Sequence, residues 1–315
     1  MSFEVILSRP DGSAFDISGI VGQTEVIDRI NQAGSCSFSA ASGLLDIQMG
    51  NAIMVRHDGA VYHKGYVFST SKTKAKTIAV STFDQIKYLK ASDSKAFDNL
   101  SLDAIIRQLC TDYGLAVGML EPTGFPLGAL AYDGKQLLDM IVDAIRQTTR
   151  GAGALYYFKD IAGAVVLRNV KSSVTDLVLS PDSLITDYSY TQSLDDTYNK
   201  IKLVRDNKTA GKREVYIAQD SNTIKSWGLL QFYEKVDDGL NPELIKQKAN
   251  VLLALKNRIG QTLELDALGD TSIRAGNVIY ISIPEVGLEK MLLCTEARHT
   301  FTNAAHTVKV KLRIV

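Results

Sequence analysis

Through residues 1–90 apolar and polar positions alternate with a period of two, the pattern of strands that bury one face. In Ser35-Cys36-Ser37-Phe38-Ser39-Ala40, small polar residues alternate with apolar ones. Ala52–Val55 and Val61–Phe68 flank His57-Asp58-Gly59, and Asp-Gly between two apolar runs predicts a hairpin. Lys72, Lys74 and Lys76 fall on one face of a predicted strand, opposite Thr73, Ala75 and Thr77. The segment 1–90 is therefore predicted to be a compact antiparallel β unit, a small barrel or sandwich.

From 91 to 172 the period changes. Leu102, Ile105, Ile106, Leu109 and Tyr113 recur at i, i+3, i+4, i+7 and i+11, one stripe of a helix. Ser101 is placed as its N-cap, Asp103 suits the positive helix start, and Gly114 suits a left-handed C-terminal position. Leu138, Ile141, Val142 and Ile145 predict a second helix near Lys135–Gln147, with Arg146 and Arg150 near its negative end. Two β runs follow, Leu155–Phe158 and Val165–Val170, joined by Asp160–Gly163. This reads as an α+β module.

Residues 173–315 return to β. Ile201 and Leu203 alternate with Lys200 and Lys202, and Val215 and Ile217 follow a polar turn at Asn207–Gly211. Asn241-Pro242-Glu243 opens a helix: N-cap, proline at the first helical position, then an acid. Ala249, Leu252 and Leu255 are predicted to carry its buried face. Leu263 with Leu265, Val278–Ile283 and Met291–Cys294 read as strands. In the last strand Val308, Val310, Leu312 and Ile314 face one way and Lys309, Lys311 and Arg313 the other. Residues 205–257 are expected to be a hairpin-and-helix insertion in this second β unit, with Ile201–Val204 and Gln261–Ala267 as strands of the unit itself.

Composition narrows the function classes. The 315 residues carry 35 basic and 35 acidic side chains, a net charge of zero, which argues against a generally basic nucleic-acid binder. Hydrophobic content of 45% and charged content of 22% are those of a folded globule. The longest apolar runs, such as Ala152–Phe158 and Ala162–Leu167, fall short of the ~20 residues that cross a bilayer. The first residues have no basic segment before an apolar core, so no secretory signal is expected. Cys36, Cys110 and Cys294 are far apart, without a CxxC pair, which argues against a disulfide framework or a zinc site and fits folding in a reducing compartment.

No catalytic motif emerges. GxSxG and GxxxxGK[ST] are absent. Gly151-Ala152-Gly153 begins like a dinucleotide fingerprint, but Tyr156 stands at the third glycine and a strand follows, so it reads as a flexible exit from a helix. His57 and His63 could face each other across their hairpin, and His299 and His306 flank a turn at Thr300–Ala305; without a partner cluster all four read as surface histidines. Asp195-Asp196 and Asp237-Asp238 read as solvated turns, because a glycosidase pair comes from separate elements across a cleft. Cys36 and Cys110 read as core. Two basic stripes remain, Lys72/Lys74/Lys76 and Lys309/Lys311/Arg313. Each is read as the solvated face of an edge strand, or as a surface facing a channel, a phosphate backbone or an acidic partner. No catalytic, cofactor or metal residue is assigned.

The C-terminal half carries a family resemblance. It runs through Asp195-Asp196-Thr197-Tyr198-Asn199-Lys200-Ile201-Lys202-Leu203 and Gly211-Lys212-Arg213-Glu214-Val215-Tyr216-Ile217-Ala218. Ile224-Lys225-Ser226-Trp227-Gly228-Leu229-Leu230-Gln231 and Tyr233-Glu234-Lys235-Val236 continue it, and Ala267-Leu268-Gly269-Asp270 with Ile273-Arg274-Ala275-Gly276-Asn277 end it. In order and spacing these resemble the XkdQ/YqbQ family of phage-like tail proteins, known from the defective prophage PBSX, over about residues 185–315. The helical module is similar in kind, and the N-terminal β unit in position and pattern.

The resemblance implies a fold that is α+β but mainly β. Two barrel-like β domains of tail-tube type, 1–90 and 173–315, would flank the module 91–172. It implies a structural, non-enzymatic baseplate hub of a contractile phage tail or tail-like bacteriocin, localised to that particle. The hub would be a homotrimer that joins the sixfold tail tube to the threefold spike. Implied partners are the tail tube, central spike and baseplate wedge proteins and a LysM-type tail protein, with DNA only as passing cargo, no membrane and no cofactor. The chain ends on a strand at Val315, so a fused C-terminal hydrolase is not expected. The competing expectation is a tail protein that binds or hydrolyses cell-wall glycan, using Asp195, Asp196, Asp237 or Asp238 as acids and Trp227 as a sugar platform. A single tryptophan is poor provision for a glycan cleft, and Trp227 is expected instead to anchor the inserted hairpin against its helix.

Overall fold

The computed structural model describes residues 3–43, 45–207, 211–302 and 305–314. Parts of the turns expected at Asn207–Gly211 and Thr300–Ala305 lie outside the described residues. Two compact units are present: Met1–Ser189 with Leu263–Val315, and Tyr190–Thr262.

The first unit begins with strands β1 (Phe3–Ser8), β2 (Ala14–Asp16), β3 (Val21–Arg29), β4 (Ser35–Ala41), β5 (Ala52–His57), β6 (Ala60–Lys72) and β7 (Thr77–Phe83). β5 and β6 form the expected hairpin. Asp58 and Gly59 both have positive φ, 47° and 80°, as a tight turn matched to strand twist requires. Val5, Leu7, Val26, Phe38, Ile53, Val55, Val67 and Val80 fill the core beneath these strands. Lys72 ends β6, whereas Lys74 and Lys76 lie in the turn between β6 and β7, so the three lysines do not share a strand face. Lys76 takes a left-handed φ of 58°, which closes the turn instead of extending the strand.

The helical module holds β8 (Ser92–Phe97), α1 (Leu102–Asp112), β9 (Val117–Leu120), β10 (Leu130–Gln136), α2 (Leu137–Ala152), β11 (Tyr156–Ile161) and β12 (Ala164–Asn169). The stripes expected on α1 and α2 are the buried faces: Leu102, Ile105, Ile106 and Leu109 pack with Leu138, Ile141 and Ile145 over Phe158 and Leu167. Truncating Leu102, Ile105, Ile106, Leu109 or Ile141, all fully enclosed, to alanine costs about 2–5 kcal/mol. Ser101 makes no side-chain cap bond; Asp103 Oδ1 instead accepts from the Thr123 N–H at 3.1 Å and ties the helix start to the following loop.

The chain continues through β13 (Val174–Leu179), β14 (Ile185–Ser193), β15 (Lys200–Asn207), β16 (Lys212–Gln219), α3 (Ser221–Trp227), β17 (Gln231–Lys235) and α4 (Pro242–Lys256). It closes with β18 (Gly260–Leu268), β19 (Val278–Ile283), β20 (Leu288–Phe301) and β21 (His306–Ile314). The strand order of the large sheet is β14-β18-β21-β20-β3-β4-β7-β6-β5-β1-β2. Its central feature is β20. The first half of β20 pairs β19, and its last residues, Glu296–Phe301, pair Arg29–Thr24 of β3. Early and late β segments are thus hydrogen-bonded into one sheet.

In the smaller unit β15 lies between antiparallel β16 and parallel β17. Asn241 caps α4, its Oδ1 accepting from the Glu243 N–H at 2.8 Å. Ile245, Ala249 and Leu252, at i, i+4 and i+7, pack on Ile201, Leu203 and Ala218. Leu255 has rotated off this stripe and is 53% exposed, contrary to the sequence pattern. Ile201–Val204 belongs to this sheet and not to the second β unit, because its alternating apolar face is covered by α4. α3 was not legible as a helix; Asp220 Oδ1 starts it by accepting from the N–H groups of Asn222 and Thr223. Trp227 closes α3 half-buried, outside the core that α4 forms with the strands.

Candidate functional surface

β21 alternates as its sequence dictates. Val308, Val310 and Leu312 are buried at 1–2% exposure, Ile314 is half-buried, and Lys309, Lys311 and Arg313 are exposed. The lysines do not form an isolated basic stripe. Lys309 Nζ lies 3.1 Å from Asp266, and Lys311 Nζ 3.5 Å from Glu264. On the other side, register sets Glu296 opposite both Lys311 and Arg29, and Arg298 opposite Lys309. Arg29 pairs with Glu296 at 2.8 Å, and Arg298 with Glu25 at 3.1 Å.

One face across β18, β21, β20 and β3 therefore pairs four acids (Glu25, Glu264, Asp266, Glu296) with four bases (Arg29, Arg298, Lys309, Lys311), with Arg313 at the end of β21 outside these pairs. A shallow groove of about 400 Å³ runs over it, bounded by Asp187 and Tyr188. A face so balanced has little net attraction for a phosphate backbone, whose binding needs unneutralised cations. Lys309–Asp266 and Lys311–Glu264 are exposed and contribute little stability, whereas Arg29–Glu296 and Arg298–Glu25 are half-buried; together the pairs keep the face hydrated and nearly neutral.

Beside this sheet lies a buried ionic node that the sequence did not disclose. Lys159 Nζ of β11 is 2.6 Å from Asp28 Oδ2 of β3, and Arg274 Nε is 3.0 Å from the same oxygen. Burial alone would raise the Asp28 pKa, but the two cations outweigh it and hold the carboxyl below its usual range. Arg274 also donates to the carbonyls of Val61 and Tyr62 and lies over the Tyr62 ring at 4.5 Å.

The histidines were expected at the surface; His57, His63 and His299 are instead 6% exposed or less. His299 Nε2 is 2.8 Å from the Ile273 carbonyl, so it carries the proton and donates. His299 Nδ1 then accepts from His306 Nε2 at 2.9 Å. Burial lowers the pKa of His299 to about 3 and of His306 to about 4. His63 does not face His57; its Nε2 bonds Thr82 Oγ1 at 2.8 Å, and burial lowers its pKa to about 4. Gly269 is needed beside this cluster, because a Cβ there would lie 2.1 Å from His306 Cγ. Among the described residues no three His, Cys, Asp or Glu side chains are grouped to hold a metal ion.

Asp237 accepts from the Gly239 N–H within its own turn, whereas Asp238 Oδ1 accepts from the N–H of Asp206 on β15. The Asp195 N–H is bonded to Ser193 Oγ within its own turn. Cys36, Cys110 and Cys294 are buried free thiols, and burial raises the pKa of Cys36 and Cys110 to about 12.

A family described as YQBQ-like matches residues 26–313, and the chain belongs to it. The phage-like element PBSX protein XkdQ of Bacillus subtilis (strain 168) is 30% identical over 269 residues, 84% of this chain and 81% of that protein. Among solved structures, the 43 kDa tail protein of prophage MuSo2 from Shewanella oneidensis superposes with a TM-score of 0.72 at 15% identity, covering 98% of this chain and 97% of that one. The E. coli c3393 protein, described as a component of the type VI secretion system with structural similarity to T4 tail proteins gp27 and gp5, gives a TM-score of 0.59 at 8% identity. It covers 94% of this chain and 74% of that one. The fold is thus that of phage tail proteins, mainly β with a large antiparallel sheet.

Proposed function

We propose that this chain is the baseplate hub of a contractile phage tail or tail-like bacteriocin. In this reading it acts as a homotrimer between the sixfold tail tube and the threefold spike. Residues 1–90 and 173–315 act as the two tube-type domains and 91–172 as the module between them. The tube and spike proteins contact opposite ends, wedge proteins and a LysM-type tail protein contact the outside, and DNA only passes through.

The observation that carries this reading is the β3–β20 junction, where early and late β segments join edge to edge. Three copies with two such segments each supply six around a ring. The path of the large sheet ends at β14 on one side and at β2 on the other, each with one open edge. Heterologous pairing of those open edges between copies closes a ring without leaving a free strand. The salt-paired face across β18, β21, β20 and β3 suits a channel wall, since a neutral hydrated surface does not hold passing cargo.

Electron microscopy of purified particles with this chain tagged tests the proposal. Three copies at the tube–spike junction are expected. Six copies in a true sixfold ring, or a position in the sheath or fibres, would overturn it. In dilute solution the isolated chain is expected as monomer, or as monomer and trimer exchanging with concentration.

A further inference from the structure

The outer surface of β6 carries an uncovered cluster of aromatic rings. Tyr66 and Phe68 point to the same side of the strand and are 37% and 36% exposed. Phe83, at the end of β7, pairs directly with Tyr66. A short 3-10 helix, Gln85–Lys90, follows. Asp84 caps it by accepting from the Ile86 N–H at 3.0 Å, and Ile86 and Leu89, three residues apart, are fully buried. With about three residues per turn, that anchoring turns Lys87, Tyr88 and Lys90 outward. Tyr88 is 41% exposed.

The rings touch one another. Phe68 and Phe83 lie 5.6 Å apart edge to face, Phe68 and Tyr88 5.5 Å, and Tyr66 and Tyr88 5.9 Å. Lys87 Nζ sits 4.2 Å over the Phe83 ring and 5.9 Å from that of Phe68. A groove of about 420 Å³ continues from Phe83 past Lys87 and Lys90 to Leu138, Val142 and Asp139. Contiguous exposed aromatics of this kind mark interaction surfaces.

Charge defines the occupant. Lys87 and Lys90, which line the groove, have no carboxylate partner among the described residues, whereas Lys64, two residues before Tyr66, lays its side chain against Gly163. Arg29, at the groove wall, is already held by Glu296. Asp139 is the one acid lining the groove. Two ammonium groups without a carboxylate, Lys87 and Lys90, beside four aromatic rings call for carboxylates brought by the partner. A sugar or nucleobase would need open ring faces for stacking. Those faces are not open, because Lys87 covers Phe83 and the neighbouring rings meet at 49–89°.

We infer that the Tyr66–Phe68–Phe83–Tyr88 surface, with its groove, is a docking site for an acidic segment of a different protein. That segment seats an aliphatic side chain among the rings and sets its carboxylates on Lys87 and Lys90. The surface does not depend on the chain's place in a baseplate.

The test replaces Tyr88 with the photo-crosslinking residue benzoylphenylalanine in the full chain, expressed in its producing cell. Irradiation is followed by mapping of the crosslinked peptide by mass spectrometry. The expected product joins position 88 to another polypeptide, at a segment with at least two carboxylates within four residues of an apolar side chain. Adding K87E and K90E should cut the yield at least tenfold without changing the melting temperature. If that pair fails to fold, K87Q with K90Q serves, with at least a threefold loss expected. Crosslinking to a second copy of this chain, to a segment without carboxylates, or to nothing would each overturn the proposal. So would a yield indifferent to both lysine pairs.

Discussion

Asp28 on β3 and Lys159 on β11 meet at 2.6 Å although 131 positions separate them in the chain. Both are nearly inaccessible, at 7% and 3% exposure. The contact ties the first β strands to the helical module, and Arg274 brings in the segment before β19. Removing one partner of a buried pair leaves an uncompensated charge, at a cost of about 3–5 kcal/mol. The two ends of the pair are not equivalent. D28N strands both Lys159 and Arg274, whereas K159M leaves Asp28 paired with Arg274. Urea denaturation should place D28N at or above that range and K159M clearly below it. A loss in K159M equal to or larger than that in D28N would show that Arg274 does not share the carboxylate.

The alternation of β21 predicts two different responses to the same new side chain. Val310 is 1% exposed in the sheet interior, so V310D buries a carboxylate with no partner and should cost several kcal/mol. Lys311 is half exposed and its bond to Glu264 is a surface pair, so K311D should cost less than about 1 kcal/mol. Thermal melts of the two variants check this. Equal losses would contradict the strand's orientation.

Elements with a local code were legible in the sequence. The stripes of α1 and α2, the cap at Asn241 and the Asp58-Gly59 turn all act within a few residues of themselves. What the sequence hid acts at long range. Glu296 meets Arg29 across 267 positions, and nothing near either residue marks β20 and β3 as neighbours. The neutralised stripe on β21 was hidden for the same reason: Lys309 looks unpaired until Asp266, 43 positions away, is set beside it. The Lys72/Lys74/Lys76 pattern failed differently. A period of two also arises in a turn, and only the left-handed backbone at Lys76 separates the two cases.

The smaller unit should be removable. Ser193 at the end of β14 and Gly260 at the start of β18 are already close: a Cβ on Gly260 would lie 3.3 Å from the Ser193 carbonyl oxygen. Its own core, Ile201, Leu203, Ala218, Ile245, Ala249 and Leu252, leaves with it. Replacing residues 194–259 by Asn-Gly should therefore give a folded, cooperatively melting protein, since a two-residue turn can join adjacent antiparallel strands. Loss of cooperative melting would mean that the large sheet needs the excised residues.

Acid should loosen the structure through its buried histidines. Unfolded histidine titrates near 6.5, whereas His63 and His306 titrate at about 4 and His299 at about 3 in the folded chain. The unfolded state therefore binds protons first as pH falls. Stability from these three groups is complete above about pH 6.5 and declines progressively down to pH 4–3. The geometry supplies the reason. A second proton on His299 must go to Nδ1, which already accepts from His306 Nε2, so two N–H groups would point at each other. H299Q, an uncharged side chain that retains a donor toward the Ile273 carbonyl, should lower stability at pH 7 yet flatten its fall between pH 6.5 and 4. Melting temperatures of the parent and H299Q across that interval decide the matter. Parallel curves would show that His299 does not drive the acid response.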